Sequence, residues 1–222
     1  MNERYAKLKE AIATAAIASG RSPHEITLVA VTKTIPWNEC SWLYRCGHHD
    51  FGESRVVEAL QKKECAPSDC RWHLIGTLQT NKVRKAVGQF ALIHSVDTIH
   101  LAEKISECSL EMEVKTKILL QVNTSGELTK HGLSPNAWRQ CYEKILPLKG
   151  ISIEGLMTMA PDTDDEKNIR QCFAHLRHFR DELKAISSEG APMHHLSMGM
   201  SNDFRLAIDE GATIIRIGSL LF

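Results

Sequence analysis

The stretch Ile26-Thr-Leu-Val-Ala-Val-Thr-Lys-Thr-Ile-Pro36 reads as a buried strand that runs into a lysine and then into a proline-led turn. Residues 26–31 are a continuous aliphatic and β-branched run, the pattern of a strand covered on both faces, as in a parallel sheet. Lys33 therefore stands at the carboxyl end of that strand. An ammonium there either reaches water along its four-carbon stem or is held where its pKa falls and it becomes a nucleophile. For a lone lysine after a strand the first reading is the stronger one, so the rest of the chain has to decide.

Outward from this strand, seven further apolar runs occur near 48–52, 72–77, 90–96, 117–123, 151–158, 193–198 and 213–218. Between them lie segments of helical periodicity: Trp37 to Cys46, Val56 to Cys65, Gln79 to Val87, Ile99 to Leu110, Pro135 to Leu146, Glu166 to Ser188 and Asn202 to Glu210. Eight alternating units with right-handed crossovers predict an α/β fold, a single closed (β/α)8 TIM barrel in preference to an open doubly wound sheet, with an extra amino-terminal helix before the first strand. No linker, internal repeat or low-complexity tract marks a boundary, so residues 1–222 read as one domain.

Composition removes several function classes. The chain carries 27 basic and 27 acidic residues, so no global field draws it onto nucleic acid or anionic lipid. No window approaches the roughly 20 consecutive apolar residues of a membrane span. The amino terminus, MNERYAKLKEAIATAAIASG, is charged throughout instead of leader-like, and the seven cysteines are irregularly spaced, so a cytoplasmic, reduced protein is expected. Cys65, Cys70 and His73 lie close together but lack the CxxC or HExxH spacing of zinc sites, and no metal is expected.

In barrels of this kind the chemistry sits where strands end, and phosphates are held by the loops after strands seven and eight. Gly199 and Ser201 precede the helix predicted from Asn202, and Gly218 and Ser219 follow the last strand. Glycine permits close approach of the main chain, serine adds a donor, and a helix amino terminus carries partial positive charge. Either turn alone is an ordinary feature; the pair, at those two positions, favours an anion. A lysine after strand one and this cradle, expected across the mouth from one another, suit a phosphorylated aldehyde, and pyridoxal 5'-phosphate (PLP) has both ends. His73, expected at the end of strand three, reads as lining the pocket. Glu53 with Arg55 reads as a solvated rim, and Met157, Met159, Met193, Met198 and Met200 as barrel packing.

The motifs AVTKTIP, FGESRVVEA, WHLIGTLQTNK, SVDTIHLAEKI, GLMTM, LSMGMSNDFRLAI and GATIIRIGS resemble the pyridoxal-phosphate homeostasis protein family over nearly the whole chain. The resemblance implies a fold-type III barrel, like the amino-terminal domain of alanine racemase, with PLP as an internal aldimine on Lys33. It implies a role in binding, storing or delivering PLP and in balancing vitamin B6 and amino-acid pools, without established catalytic turnover. It implies phosphate contacts from Ser201, Gly218 and Ser219, with Ser197 beside them, and Arg216 facing the pyridine nitrogen. Ser54 stands where the family has asparagine, and Ser219 where threonine is usual; the shorter Ser54 side chain leaves one hydrogen bond to water. The partners implied are PLP and PLP-requiring apoenzymes, and a monomer is expected.

The rival within the same fold is a PLP-dependent amino-acid racemase of the alanine racemase type, which would also use Lys33 but needs a second base. In alanine racemases that base is a tyrosine from a β-domain after the barrel. Here strand eight is expected to be the last element, and Tyr5, Tyr44 and Tyr142 all fall in predicted helices.

Overall fold

The computed structural model describes residues 3–127, 130–187 and 190–222. Helix α1 (Glu3–Ala18) leads into β1 (Thr27–Val31), followed by α2 (Trp37–Cys40), α3 (Trp42–Arg45), β2 (Asp50–Glu53), α4 (Val56–Cys65) and β3 (Arg71–Leu74). Next come α5 (Val83–Ala86), β4 (Leu92–Val96), α6 (Ile99–Glu111), β5 (Thr116–Gln121), α7 (Pro135–Ile145) and β6 (Ile151–Met157). The chain continues through α8 (Glu166–Ala185), β7 (His195–Ser197), α9 (Phe204–Asp209) and β8 (Ile214–Ile217). All eight strands pair in parallel in sequence order, and β8 returns to β1 with Arg216 opposite Val29 and Ile217 opposite Ala30. The expected closed barrel, preceded by a helix, is present.

Side-chain alternation along the strands divides the interior in two. Leu28, Ala30, Phe51, Trp72, Ile93, Leu120, Leu196, Ile215 and Ile217 face outward into the large core under the helices. Val29, Leu92, Leu119, Met157 and Ile214 form a second, smaller apolar cluster, with Met159 against it; these alternate with the first set and so fill the lumen. Strands β2, β3 and β7 contribute nothing to this plug and carry polar groups at inward positions instead. At Gly155 a Cβ would lie 1.9 Å from the His195 carbonyl oxygen, so the β6–β7 contact requires glycine there.

Helix α1 buries Tyr5, Leu8, Ile12 and Ala16, a stripe at helical spacing that covers the outside of the barrel against α9. Arg21 fastens the following turn by donating to the Ile208 and Ala212 carbonyls at 3.1 and 2.7 Å.

Four predicted helices differ in detail. The 37–46 segment is two short helices meeting at Ser41, whose hydroxyl bonds back to the Asn38 carbonyl and competes with the helical ladder. The 79–87 segment opens as a 3-10 turn, Thr80–Lys82, and stops where Val87 becomes extended before Gly88 at φ 72°. The Glu166 helix ends at Ala185, and its predicted terminus Ser188 lies outside the described residues. Helix α9 starts at Phe204, two residues beyond Asn202, because the Asp203 carboxylate accepts from the Met200 N–H and holds 201–203 as a turn.

Candidate functional site

Lys33 follows β1 by two residues. The ladder runs through Thr32, whose N–H donates to the Gly52 carbonyl at 3.0 Å. The Thr32 hydroxyl points to the helix side, donating to Glu53 Oε1 at 2.6 Å. Lys62 of α4 donates to both Glu53 Oε1 and the Thr32 carbonyl at 2.5 Å. Alternation therefore directs Lys33, with Val29 and Val31, to the lumen side at the mouth. Thr34, at φ 68°, turns the chain immediately afterwards. Glu53 is completely buried and anchors this corner, so the solvated-rim reading of Glu53 is corrected: its side chain lies under α4 because Phe51 and Glu53 share the outward face of β2. Arg55 is exposed and pairs with Glu58.

The same alternation sets the other positions. Ser54 follows β2, and its backbone packs directly on Gly76, where a Cβ would fall 2.3 Å from the Ser54 carbonyl oxygen. Ser197 ends β7, and Arg216 lies within β8, both buried. Arg216 Nη1 donates to Ser197 Oγ at 2.6 Å and Nη2 to the Thr158 carbonyl at 2.9 Å. Burial lowers the Arg216 pKa to about 10, with the Asp203 charge opposing the shift, so the guanidinium is cationic at neutral pH.

Ser201 lies in the turn after β7, and Gly218 and Ser219 after β8. Gly199, at φ 95°, brings the β7 loop against α9, where a Cβ would stand 2.6 Å from Ala207 Cβ, and its carbonyl accepts from the Arg216 N–H. Gly218 differs: its φ lies outside the left-handed region, and an added Cβ would meet nothing closer than the Val31 carbonyl oxygen at 3.4 Å. The fold itself does not demand glycine there, since an added Cβ would make only ordinary contact with Val31.

One expectation needs correction. Lys33 and the β7–β8 turns were expected across the mouth from one another, but barrel closure makes β8 the direct neighbour of β1. The ends of β7, β8, β1 and β2, bearing Ser201, Ser219, Lys33 and Ser54, form one contiguous arc. Among the described residues, the Lys33 ammonium and these three hydroxyls make no hydrogen bond within the protein.

His73 lies within β3, one residue before its end, and both ring nitrogens are engaged: Nε2 with Asp50 at 3.1 Å and Nδ1 with His94 Nε2 at 3.0 Å. It joins the other site residues through His94, whose Nδ1 lies 2.9 Å from Ser197 Oγ. Asp50, His94 and Thr158 complete this assembly; Thr158 lies in the GLMTM motif, and no motif marks Asp50 or His94. The available signal is a polar residue at an inward position of an otherwise apolar strand, as in Leu-Ile-His-Ser-Val (92–96).

The barrel methionines divide. Met157, Met193 and Met198 are buried, whereas Met200 is exposed on the β7 loop.

The family model described as alanine racemase, N-terminal domain, matches residues 11–222. The chain is 41% identical to the pyridoxal phosphate homeostasis protein of Aquifex aeolicus, covering 99% of this chain and 96% of that one. It is 37% identical to the protein of that name from Pseudomonas aeruginosa, covering 99% and 94%. Among solved structures, PipY of Synechococcus elongatus with PLP bound superimposes with a TM-score of 0.84 at 38% identity, covering 95% and 99%. An alanine racemase from Clostridium difficile superimposes with a TM-score of 0.75 at 16% identity, a likeness of fold, and this chain covers 52% of it.

Proposed function

Because the chain belongs to the pyridoxal phosphate homeostasis protein family, we propose that it binds PLP at the carboxyl mouth of its barrel, covalently through Lys33, and serves PLP and amino-acid homeostasis instead of catalytic turnover. The observation that carries this reading is the arc of groups the protein leaves unused: an amine after β1, hydroxyls after β7, β8 and β2, and a glycine, Gly218, that the packing does not require. PipY, similar over nearly its whole length, is a PLP binder by its solved structure.

The donor set fits the cofactor. PLP supplies an aldehyde that condenses reversibly with a primary amine and a pyridine ring that withdraws electrons. The aldehyde and the phosphate arm occupy neighbouring ring positions, which suits an amine on β1 beside a phosphate cradle on β8. Ser201, Ser219 and the Gly218 backbone would hold the phosphate, with Ser197 beneath, and Ser54 would contribute a hydroxyl from β2. Arg216 would face the ring nitrogen. A guanidinium that stays charged opposes protonation of that nitrogen, weakening electron withdrawal, which suits a carrier more than a carbanion catalyst.

The racemase reading requires a second acid/base group opposite Lys33. Tyr5 is buried in α1 with its hydroxyl on His48 Nδ1, Tyr142 in α7 bonds Ser187, and Tyr44 in α3 stacks edge-on against His49. All three are on helices outside the barrel. Racemisation of alanine or serine by the loaded protein should not exceed that by free PLP. Delivery to PLP-requiring apoenzymes, as a monomer in the cytoplasm, is the cellular counterpart of this reading.

The test is reconstitution. Wild type with excess PLP should turn yellow and absorb as a covalent lysine adduct, and Lys33→Ala should fold without acquiring that band. A colourless reconstituted wild type overturns the proposal.

A further inference from the structure

Polar groups cross the lumen from the floor of the barrel to its mouth. At the floor, Arg71 donates to Asp50 at 2.7 Å from Nε and 2.5 Å from Nη2. Asp50 meets His73, His73 meets His94, His94 meets Ser197, and Ser197 meets Arg216 at the mouth. From Asp50 to Arg216, the five strands β2, β3, β4, β7 and β8 each contribute one member. Such a thread through an apolar interior is costly unless every member is satisfied. It is: none of its atoms is among the buried groups without a partner.

Donor and acceptor bookkeeping fixes its direction. Arg216 only donates and the Asp50 carboxylate only accepts. Ser197 Oγ takes the guanidinium hydrogen, and with one hydrogen per ring its own hydrogen goes to His94 Nδ1. His94 then donates from Nε2 to His73 Nδ1, and His73 donates from Nε2 to Asp50. In this arrangement each ring carries its hydrogen on Nε2, and the bonds from Arg216 to Asp50 run one way from the mouth to the floor.

We propose that Asp50, His73, His94 and Ser197 form a one-way hydrogen-bond relay that positions Arg216, and that adding one proton to the His73–His94 pair reverses the relay at Ser197, the hydroxyl that supports Arg216. Whichever ring takes the proton, His94 Nδ1 gains a hydrogen and points it at Ser197. The Ser197 hydroxyl, now accepting from both sides, has lost its own acceptor and must reorient. The surroundings oppose that proton. The charged and titratable groups facing the pair are Asp50 and Arg71 at the floor, His195 on β7, Arg216 on β8 and Asp203 above it; β1, β5 and β6 present Val29, Leu119 and Met157. Burial, then the neighbouring His73, Arg216 and His195, hold the His94 pKa well below its ordinary value.

The relay's effect on Arg216 toward the cofactor rests on the PLP reading above, but its direction does not, and the two are tested separately. In ligand-free protein with 15N-labelled histidine, NMR near neutral pH should find Nδ1 unprotonated and Nε2 protonated in both His73 and His94. A hydrogen on either Nδ1, or an imidazolium, overturns the relay. For positioning, variants are compared by PLP affinity after thermal melts establish that they fold. His94→Leu removes the acceptor for Ser197 and should weaken PLP binding roughly tenfold, the worth of a hydrogen-bond link to a charged group. His94→Asn, which restores an acceptor at the Nδ1 position, should recover most of that loss and lack the acid-side decline of the wild type. Equal affinities of His94→Leu and wild type would overturn the positioning role. If wild type binds no PLP, the functional proposal fails and the NMR result still decides the relay.

Discussion

Lys62→Met isolates the corner that fixes the backbone ahead of Lys33. Lys62 Nζ holds Glu53 Oε1 and the Thr32 carbonyl, both at 2.5 Å, with the side chains of Lys62 and Glu53 only 12% and 0% exposed. Glu53 Oε2 already lacks a partner. Removing the ammonium leaves a buried carboxylate with the Thr32 hydroxyl as its one remaining donor, a loss of about 3–5 kcal/mol. For a chain of this length each kcal/mol moves Tm by about 2–4 °C, so the midpoint should fall by roughly 6–20 °C. The double variant Glu53→Gln/Lys62→Met keeps an acceptor for Thr32 without the stranded charge and should regain at least half of that loss, read by calorimetry and urea titration at pH 7. A single-variant shift under about 2 °C, or a double variant no more stable than the single, would refute the reasoning.

Two glycines should separate fold from binding. Gly199→Ala, at φ 95° with its Cβ 2.6 Å from Ala207 Cβ, should cost about 2–4 kcal/mol from strain and overpacking, seen in the urea midpoint. Gly218→Ala should change stability by less than about 1 kcal/mol yet weaken PLP binding at least about tenfold by equilibrium dialysis, equivalent to 1.4 kcal/mol. His48, buried between Tyr5 and the Asp50 carbonyl, has its pKa lowered to about 4, chiefly by burial. The unfolded chain takes up that proton more readily, so this contribution is complete above about pH 6.5 and declines as pH falls toward 4, by roughly 3 kcal/mol in all. His48→Gln should flatten the stability-versus-pH curve in that window; an unchanged slope contradicts the assignment.

The barrel was legible because its signal is local: eight apolar runs with helical periodicity between them, and strand ends that carried Lys33, Ser54, Ser197, Ser201, Gly218 and Ser219. Helix ends were less so, since Ser41 and Asp203 settle them by side-chain hydrogen bonds that compete with the backbone. Closure is legible in the alternation of runs, whereas the pairing of β8 with β1, which turns an expected gap across the mouth into an arc, is a property of strand order alone. The relay was least accessible. His94 and Ser197 are 103 residues apart, and Glu53 reads as a surface charge until Lys62 is seen above it. Only the inward parity of the relay residues, known once the strands are placed, joins His94 to Ser197.

The proposed PLP attachment turns on the amine of Lys33. Borohydride reduction of the PLP-loaded wild type, followed by peptide mass mapping, should place the reduced pyridoxyl group on Lys33 with near-stoichiometric yield. A label on Lys62 or any other lysine, or no stable label, would contradict it.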